Sequence, residues 1–404
     1  MTTSTTIQRF ISRAALLLCC APFAAAQTGQ TTGDAPLTVQ EVSCAGNTQT
    51  SCDFIREHLY LQAGETLDED EIRNAELRLS ALNNFESVKI RLEKGLQRGT
   101  VVVVILVEEA SPITTEWLLG AAVRPDAQRG VIAGRIGHQN LFGKGKIADF
   151  SAQALVPIAG DGFLEAYGLT LRYADPQLLG SSRYFGIASA GWSKSRSEDV
   201  YGNFGNFEAA QLNLSLGRRF GDFSYVMLEL NHRSDSDWSY GWWNSSANFQ
   251  IREHEGRGTK ATLIYGWSTE DDLNFPTQGT ALQFAVRRDF GANAPDRYPF
   301  LRYRKTWGSS IGYWSVKIGG DPSPEYRNAL NESQFLALTY SRSLAPGDFI
   351  ERGRWYIEPG FAPLSHTSSG GTRYSYGLKA GFRAETRRFG LVDLYLSGVE
   401  ETVR

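Results

Sequence analysis

Leu212-Asn213-Leu214-Ser215-Leu216-Gly217 places leucine at every second position, with a small or polar residue between each pair. A period of two is that of a β-strand, which turns successive side chains to opposite faces. The pattern recurs at Leu282, Phe284 and Val286 against Gln283, Ala285 and Arg287, and at Leu378, Ala380 and Phe382 against Lys379, Gly381 and Arg383. It returns at Val392, Leu394 and Leu396 against Asp393, Tyr395 and Ser397. From Thr115 onward short alternating segments follow one another, separated by Gly, Asn, Asp and Pro, with no helical period between them.

A water-soluble sandwich would alternate in the same way, so alternation alone does not choose between a sandwich and a membrane barrel. Three further features favour the barrel. The segments recur across residues 115–404, apolar positions near segment ends are often aromatic (Trp117, Tyr173, Trp192, Trp267, Tyr340), and the chain is read as exported. Candidate strands fall near 115–124, 130–138, 146–157, 163–173, 183–193, 207–218, 223–233, 242–251, 258–268, 279–288, 299–306, 310–318, 332–342, 353–360, 373–384 and 389–400. They number about sixteen, in keeping with the even counts usual for bacterial barrels.

Bulk properties agree. The chain has 404 residues and a net charge of -3, which gives no reason to expect nucleic acid as a partner. All nine Trp lie at or beyond Trp117, so the two ends of the chain are built for different surroundings. Arg9 and Arg13 precede Ala14-Ala15-Leu16-Leu17-Leu18-Cys19-Cys20-Ala21-Pro22-Phe23 and then Ala24-Ala25-Ala26, the pattern of a secretory leader over 1–26. Lipid attachment at Cys19 or Cys20 is the alternative, but Leu17-Leu18 is not the small pair such processing uses. Residues 27–36 read as a linker. After the leader, the longest apolar run is Val101–Val107, far short of the roughly 18 residues of a spanning helix.

Removing the leader leaves Cys44 and Cys52, a close pair suited to a disulfide in an oxidising compartment. A redox or metal pair is the other reading, with no Cys-x-x-Cys and only an isolated His58 nearby to support it. Between 37 and 110, Leu37–Val42 alternates as a strand. Phe54, Ile55 and Leu59 suggest a short helix, and Ile72, Ala75, Leu79 and Leu82 share one helical face. Phe85–Leu92 alternates again before the β-branched run from Val101, giving a compact α+β domain of order β-α-α-β-β.

Val42, Gly46-Asn47-Thr48, Ile55, Gly64, Leu79, Leu82, Phe85-Glu86-Ser87-Val88 and Ile90 together make this domain resemble the polypeptide-transport-associated (POTRA) domain of the BamA/TamA family of outer-membrane assembly proteins. Two later segments strengthen the resemblance: Asn140-Leu141-Phe142-Gly143-Lys144-Gly145, and Asp272-Leu273-Asn274-Phe275-Pro276-Thr277-Gln278-Gly279-Thr280. In the second, Pro276 fixes φ and Gly279 is permissive, as a tight turn entering a strand requires. The resemblance implies an outer-membrane barrel with its front domain in the periplasm, surrounded by outer-membrane lipid. It also implies unfolded polypeptides as clients and periplasmic or lipoprotein partners.

The chain departs from that family in two places. Gly319–Asn328, where an inward loop with an Arg-Gly motif is expected, has Arg327 without that pair, while Arg352-Gly353 lies a strand later. The sequence ends Glu401-Thr402-Val403-Arg404, where an aromatic residue is usual. A client strand is expected to meet the junction of first and last barrel strands, or a sheet edge of the front domain.

A second class is a channel for small solutes or a secreted polypeptide, with Arg172, Arg287, Lys379 and Arg383 toward the interior. A third is a hydrolase using His232, Asp235, Ser365 or His366. The five His (His58, His138, His232, His254, His366) are isolated, and His-Glu-x-x-His does not occur. The reading is therefore of a protein without enzymatic activity, metal or cofactor.

Overall fold

The computed structural model describes residues 37–403 apart from 83, 124–126, 161–162, 199–203, 244–248, 254–255, 273, 291–297, 310, 320–335 and 367–371. The expected leader and linker, and Gly320–Asn328 of the expected inward loop, lie outside the described residues.

The N-terminal domain has the order β1 (Thr38–Ala45), α1 (Cys52–Leu59), α2 (Glu69–Ser80), β2 (Phe85–Lys94) and β3 (Thr100–Glu109). Each helix starts on a side-chain cap: Ser51 Oγ accepts from Phe54 N at 3.2 Å, and Asp68 Oδ1 accepts from Asp70 N at 3.1 Å. The all-apolar β3 lies in the middle of the sheet, parallel to β1 and antiparallel to β2. Phe54, Ile55, Leu59 and Leu79 from the helices bury against Val39, Val103 and Ile105. Cys44 and Cys52 are joined by a disulfide that ties the end of β1 to the start of α1.

Sixteen further strands form one sheet: β4 (Ile113–Val123), β5 (Ala127–Leu141), β6 (Lys146–Gly160), β7 (Phe163–Asp175), β8 (Tyr184–Glu198), β9 (Phe204–Phe220), β10 (Ser224–Trp243), β11 (Phe249–Glu253), β12 (Gly256–Ser268), β13 (Gly279–Asp289), β14 (Tyr298–Ser309), β15 (Gly312–Gly319), β16 (Leu336–Ser343), β17 (Ile350–His366), β18 (Thr372–Thr386) and β19 (Gly390–Val403). The sheet closes where β19 meets β4. Its surface is inside out by the standard of a soluble protein. Leu212, Leu214 and Leu216 point outward at 58%, 46% and 51% exposure, while Ser215 is buried and Asn213 donates to Ser189 Oγ at 3.1 Å inside. Inward charges pair across strands: Arg172 with Asp149 at 2.7 Å, Arg383 with Asp393 at 2.6 Å, and Lys317 with Glu358 at 2.5 Å. Outward apolar and inward polar faces on a closed sheet are the arrangement of a membrane barrel, whose closure leaves no strand edge in lipid. No helix of the described residues is long and apolar enough to cross a membrane.

The count near sixteen holds, but the parity differs from the even number expected. β11 and β12 both pair with β10, one beyond the other, so they occupy one position and the ring has fifteen. The surplus candidate, 242–251, straddles the hairpin from β10 to β11. Neighbouring strands are antiparallel everywhere else, so an odd ring must close with two strands running the same way, and β19 pairs with β4 in parallel.

Candidate functional site

Three connected features occupy the rim that faces the N-terminal domain, here the near rim. The first is the seam. Eight residue pairs join β19 to β4, from Leu391 opposite Glu116 to Gly398 opposite Val123. Thr115 Oγ1 donates to Phe389 O at 2.8 Å and latches the near end. Inside, the Tyr395 ring covers Gly120, where any Cβ would meet it at 2.4 Å. Lys379 Nζ sits 4.2 Å from that ring's centroid.

The second feature is the joint between domain and barrel, and it uses Asn140, Leu141, Phe142 and Gly143. These residues form the turn from β5 to β6. Asn140 Nδ2 donates to Thr50 Oγ1 at 2.8 Å, and Asn140 Oδ1 accepts from Gly145 N at 2.9 Å. Ser51 N donates to Gly143 O at 2.9 Å. Gly143 has φ +66, and a Cβ there would lie 2.2 Å from Gln49 O, so the turn approaches the domain as only glycine permits. Leu141 Cα partners Lys146 where the two strands meet. Phe142 also has a positive φ, and its side chain is 83% exposed.

On the domain side, the Glu109 carboxylate accepts from Thr48 N and Oγ1, Gln49 N and Thr50 N. Burial alone would raise its pKa, but these hydrogen bonds outweigh it and hold the group at about 2. Nearby, Arg78 of α2 is buried, donates to the carbonyls of His58 and Leu59 at the end of α1, and pairs with Asp222 in the turn from β9 to β10. Asn74 Nδ2 donates to the same Asp222 at 2.8 Å. The guanidinium groups of Arg78 and Arg183 lie 4.5 and 3.9 Å from the Tyr60 ring centroid.

The third feature is the turn from β12 to β13, which holds Phe275, Pro276, Thr277 and Gly279 and folds under the barrel. Asp271 accepts from Thr277 N at 2.8 Å and Gln278 N at 3.2 Å. Asp272 accepts from Asn274 N and Phe275 N at 2.8 Å each and pairs with Arg352 at 2.5 Å. Burial alone would raise the Asp272 pKa; the Phe275 amide and Arg352 outweigh it and hold the carboxyl below its ordinary value. Phe275 is 4% exposed, with the Arg352 and Arg354 guanidinium groups 5.0 and 5.7 Å from its ring centroid. Arg354 donates to Pro276 O at 2.7 Å and Phe275 O at 2.9 Å. Arg383 links Asn274 O, at 3.4 Å, to Asp393 of β19. The turn is thereby tied to the last strand of the seam. Gly279, with φ +120, starts β13.

A cavity of about 870 Å³ lies where the three features meet, lined among others by Phe85 and Glu86 of β2, Thr114 and Glu116 of β4, and Asp272 and Arg352. The sheet edges of the N-terminal domain differ. That of β1 is covered: Val39 N donates to Glu65 O at 2.9 Å, and Arg56 Nε to Val42 O at 3.0 Å. On β2, Glu76 Oε1 accepts from Ile90 N at 2.7 Å, while Arg91–Lys94 are exposed.

The two turns were visible in the sequence, but their partners were not. Arg78, Asp222, Arg354 and Asp393 carried no local signal, because each acts on a residue far along the chain. Of the residues considered for hydrolysis, His232 has its Nδ1 2.9 Å from Thr259 Oγ1, and the side chains of Asp235, Ser365 and His366 lie outside the described residues.

Residues 37–110 match the POTRA family, described as "Surface antigen variable number repeat". No curated protein sequence matches the chain. Among solved structures, CdiB from Escherichia coli aligns with TM-score 0.56 and 12% identity over 87% of this chain and 70% of that one. CdiB from Acinetobacter baumannii aligns with TM-score 0.54 and 11% identity over 91% and 74%. BamA from Haemophilus ducreyi lacking POTRA domains 1–3 aligns with TM-score 0.46 and 10% identity over 91% and 85%. The chain thus contains a POTRA domain at residues 37–110 and shares the fold of the two CdiB structures, a POTRA-like domain followed by a closed barrel.

Proposed function

We propose that the protein is an outer-membrane factor that assembles or translocates other polypeptides, with its POTRA domain in the periplasm and the barrel seam as the contact surface for clients. The observation that carries this reading is the seam itself: a short parallel junction, opening beside a POTRA domain that is bonded to the same rim. Parallel ladders have slanted bonds and are slightly less stable per residue than antiparallel ones, so this is the junction of the wall best suited to opening. The cavity between the start of β2 and the start of β4 offers an extended chain a continuous path from the POTRA edge to the seam.

Lipid contact is supported by the near rim. Phe142, Leu179, Phe220, Ile311, Phe349 and Phe389 all sit exposed in or beside its turns. On the outer wall Trp314, Tyr340 and Trp355 stack, with centroids 4.7 and 5.3 Å apart, as an interfacial aromatic cluster does.

Depletion of the protein tests the proposal. The expected result is loss of other barrel proteins, or of a secreted polypeptide, from the envelope. Unchanged levels of both, with altered solute uptake, overturn it in favour of a channel.

A further inference from the structure

The outward stripe of β9 is apolar from Ala210 to Leu216 and is bounded by charge at both ends, Glu208 toward the far rim and Arg218 toward the near rim. Those ten residues of strand measure roughly 33 Å, or about 25 Å across a wall tilted by about 40°, which is the height of a lipid-facing band. Glu208 is answered from within the chain, by Lys194 Nζ at 3.4 Å and Trp192 Nε1 at 2.9 Å. Arg218 is not. Among the described residues no carboxylate lies within ion-pair distance of it, and Asp222, four residues on, is engaged by Arg78 and Asn74. Its guanidinium lies instead 5.7 and 5.1 Å from the ring centroids of Tyr184, directly opposite on β8, and Phe220. A cation at the boundary of the lipid, held between aromatic rings and unmatched by its own chain, faces the anion that this layer supplies in quantity, the headgroup phosphate.

The turn from β7 to β8 comes to the same place. A Cβ at Gly186 would meet both Leu178 and Leu216 at 3.5 Å, so Leu178 is folded onto the outer wall beside the apolar stripe. Leu179 follows with φ +58 and 91% exposure, a backbone conformation that branched side chains rarely adopt and a surface that water disfavours. We propose that Arg218, Tyr184, Phe220 and Leu179 form a binding site for one phospholipid of the near-rim leaflet, with the phosphate on Arg218 and an acyl chain along Leu179. The proposal rests on the barrel standing in lipid with its near rim toward the periplasm, and it adds a defined headgroup chemistry at a defined place on the wall. The planar fork of the guanidinium suits a phosphate diester. The lipid also reaches the POTRA domain through this turn. Ser182 Oγ donates to Glu57 O at 2.5 Å, and Arg219 Nη1 holds the turn from the other side through Pro176 O at 2.9 Å and Ser182 O at 2.5 Å. One short segment is thereby held by the POTRA domain, the barrel wall and the bound lipid together.

The test uses the full chain folded in dodecyl maltoside micelles, titrated with dioleoyl phosphatidylglycerol or with dioleoylglycerol, which has the same acyl chains and no phosphate. Native mass spectrometry reads the fraction of protein that keeps a lipid. The unaltered chain is expected to retain the phosphatidylglycerol, and Arg218→Gln to weaken that retention by about tenfold, the loss of one charge-assisted contact. Arg388→Gln, at an exposed position of the same rim in the turn from β18 to β19, is expected to leave it within about twofold of the parent. Equal losses in the two variants overturn a defined site in favour of general charge at the rim, and equal retention of the two lipids overturns recognition of the phosphate. Retention of neither lipid by the folded chain overturns the site and leaves the client role to the depletion experiment. Unaltered protein gives a second reading that needs no variant: phosphatidylglycerol is expected to slow amide exchange within residues 176–183 by about tenfold, and equal or absent slowing with the two lipids overturns the proposal.

Discussion

The Tyr395 ring on the last barrel strand lies flat against Gly120 on the first, so the inner face of the seam is sealed by a contact that has no room for a side chain at position 120. Gly120→Val is expected to push the ring away and cost about 1–3 kcal/mol of barrel stability, as overpacking does. Urea unfolding in detergent checks this, with Gly258→Ala as the control, since nothing lies within 4 Å of a Cβ there. An equal loss in both variants would show that the seam is not specifically affected.

Arg78 joins the two domains through one side chain. It closes the carbonyl end of α1 and meets Asp222 on the barrel. Arg78→Ala leaves those carbonyls and the carboxylate without it, and a loss of about 2 kcal/mol is expected from removing the hydrogen bonds of a buried charged group. Asp222→Asn, which keeps the shape and lies at the more exposed end, is expected to cost about 1 kcal/mol. Hydrogen exchange should report faster opening of α1 and of the turn at 140–145 in the first variant, and little change in the second.

The inward turn at 271–278 is held by charge and by two carbonyl contacts from one guanidinium. Arg354→Lys keeps the charge but lacks the planar fork that reaches both Pro276 O and Phe275 O. Limited proteolysis is expected to cut this variant within 271–278 at least tenfold faster than the parent, a change of about 1.4 kcal/mol in local opening. Unchanged cleavage would mean that Asp271 and Asp272 suffice to hold the turn.

His58 sets a pH dependence. Burial lowers its pKa to about 4; its hydrogen bond to the Phe54 carbonyl opposes the shift, and Arg219 and Arg78 add to it. Because the folded value is below the unfolded one, the unfolded chain binds the extra proton between about pH 6.5 and pH 4. Stability is therefore full above pH 6.5 and falls by roughly 3 kcal/mol as pH drops through that window. Thermal melts of the POTRA signal across it check the slope, which His58→Gln is expected to flatten.

Parity also places the end of the last strand. With fifteen positions, β19 ends on the rim opposite the POTRA domain, so a tag attached next to Val403 is expected on the cell surface. Antibody labelling of intact cells, compared with permeabilised ones, decides it. Labelling only after permeabilisation would contradict the parallel seam.

The sequence made some of this legible and left the rest dark for physical reasons. Alternation is local, so Leu212, Leu214 and Leu216 announced their strand and their common face. Parity is not local. Trp242 and Trp243 lie at one end of a hairpin, and Phe249 and Ile251 at the other, so their apolar spacing imitated one strand where the chain in fact turns back. The turns at Asn140 and Phe275 were visible as Gly, Asn and Pro signals. Their meaning depended on Thr50, Arg354 and Arg383, each 78 to 109 residues away along the chain. Only a closed sheet brings such residues together.

The long strand β10 has a consequence for the outer surface. It runs for 20 residues where β4 has 11, a difference of about 30 Å of extended chain. In a ring of fifteen, β10 and its neighbour β12 stand across the lumen from the junction of β19 with β4. Among the described residues the wall therefore stands higher at β10 than at β4. Under the proposed function, a polypeptide emerging beside β4 leaves with the taller wall of β10 across from it, so the barrel gives its outer face a direction as well as an exit.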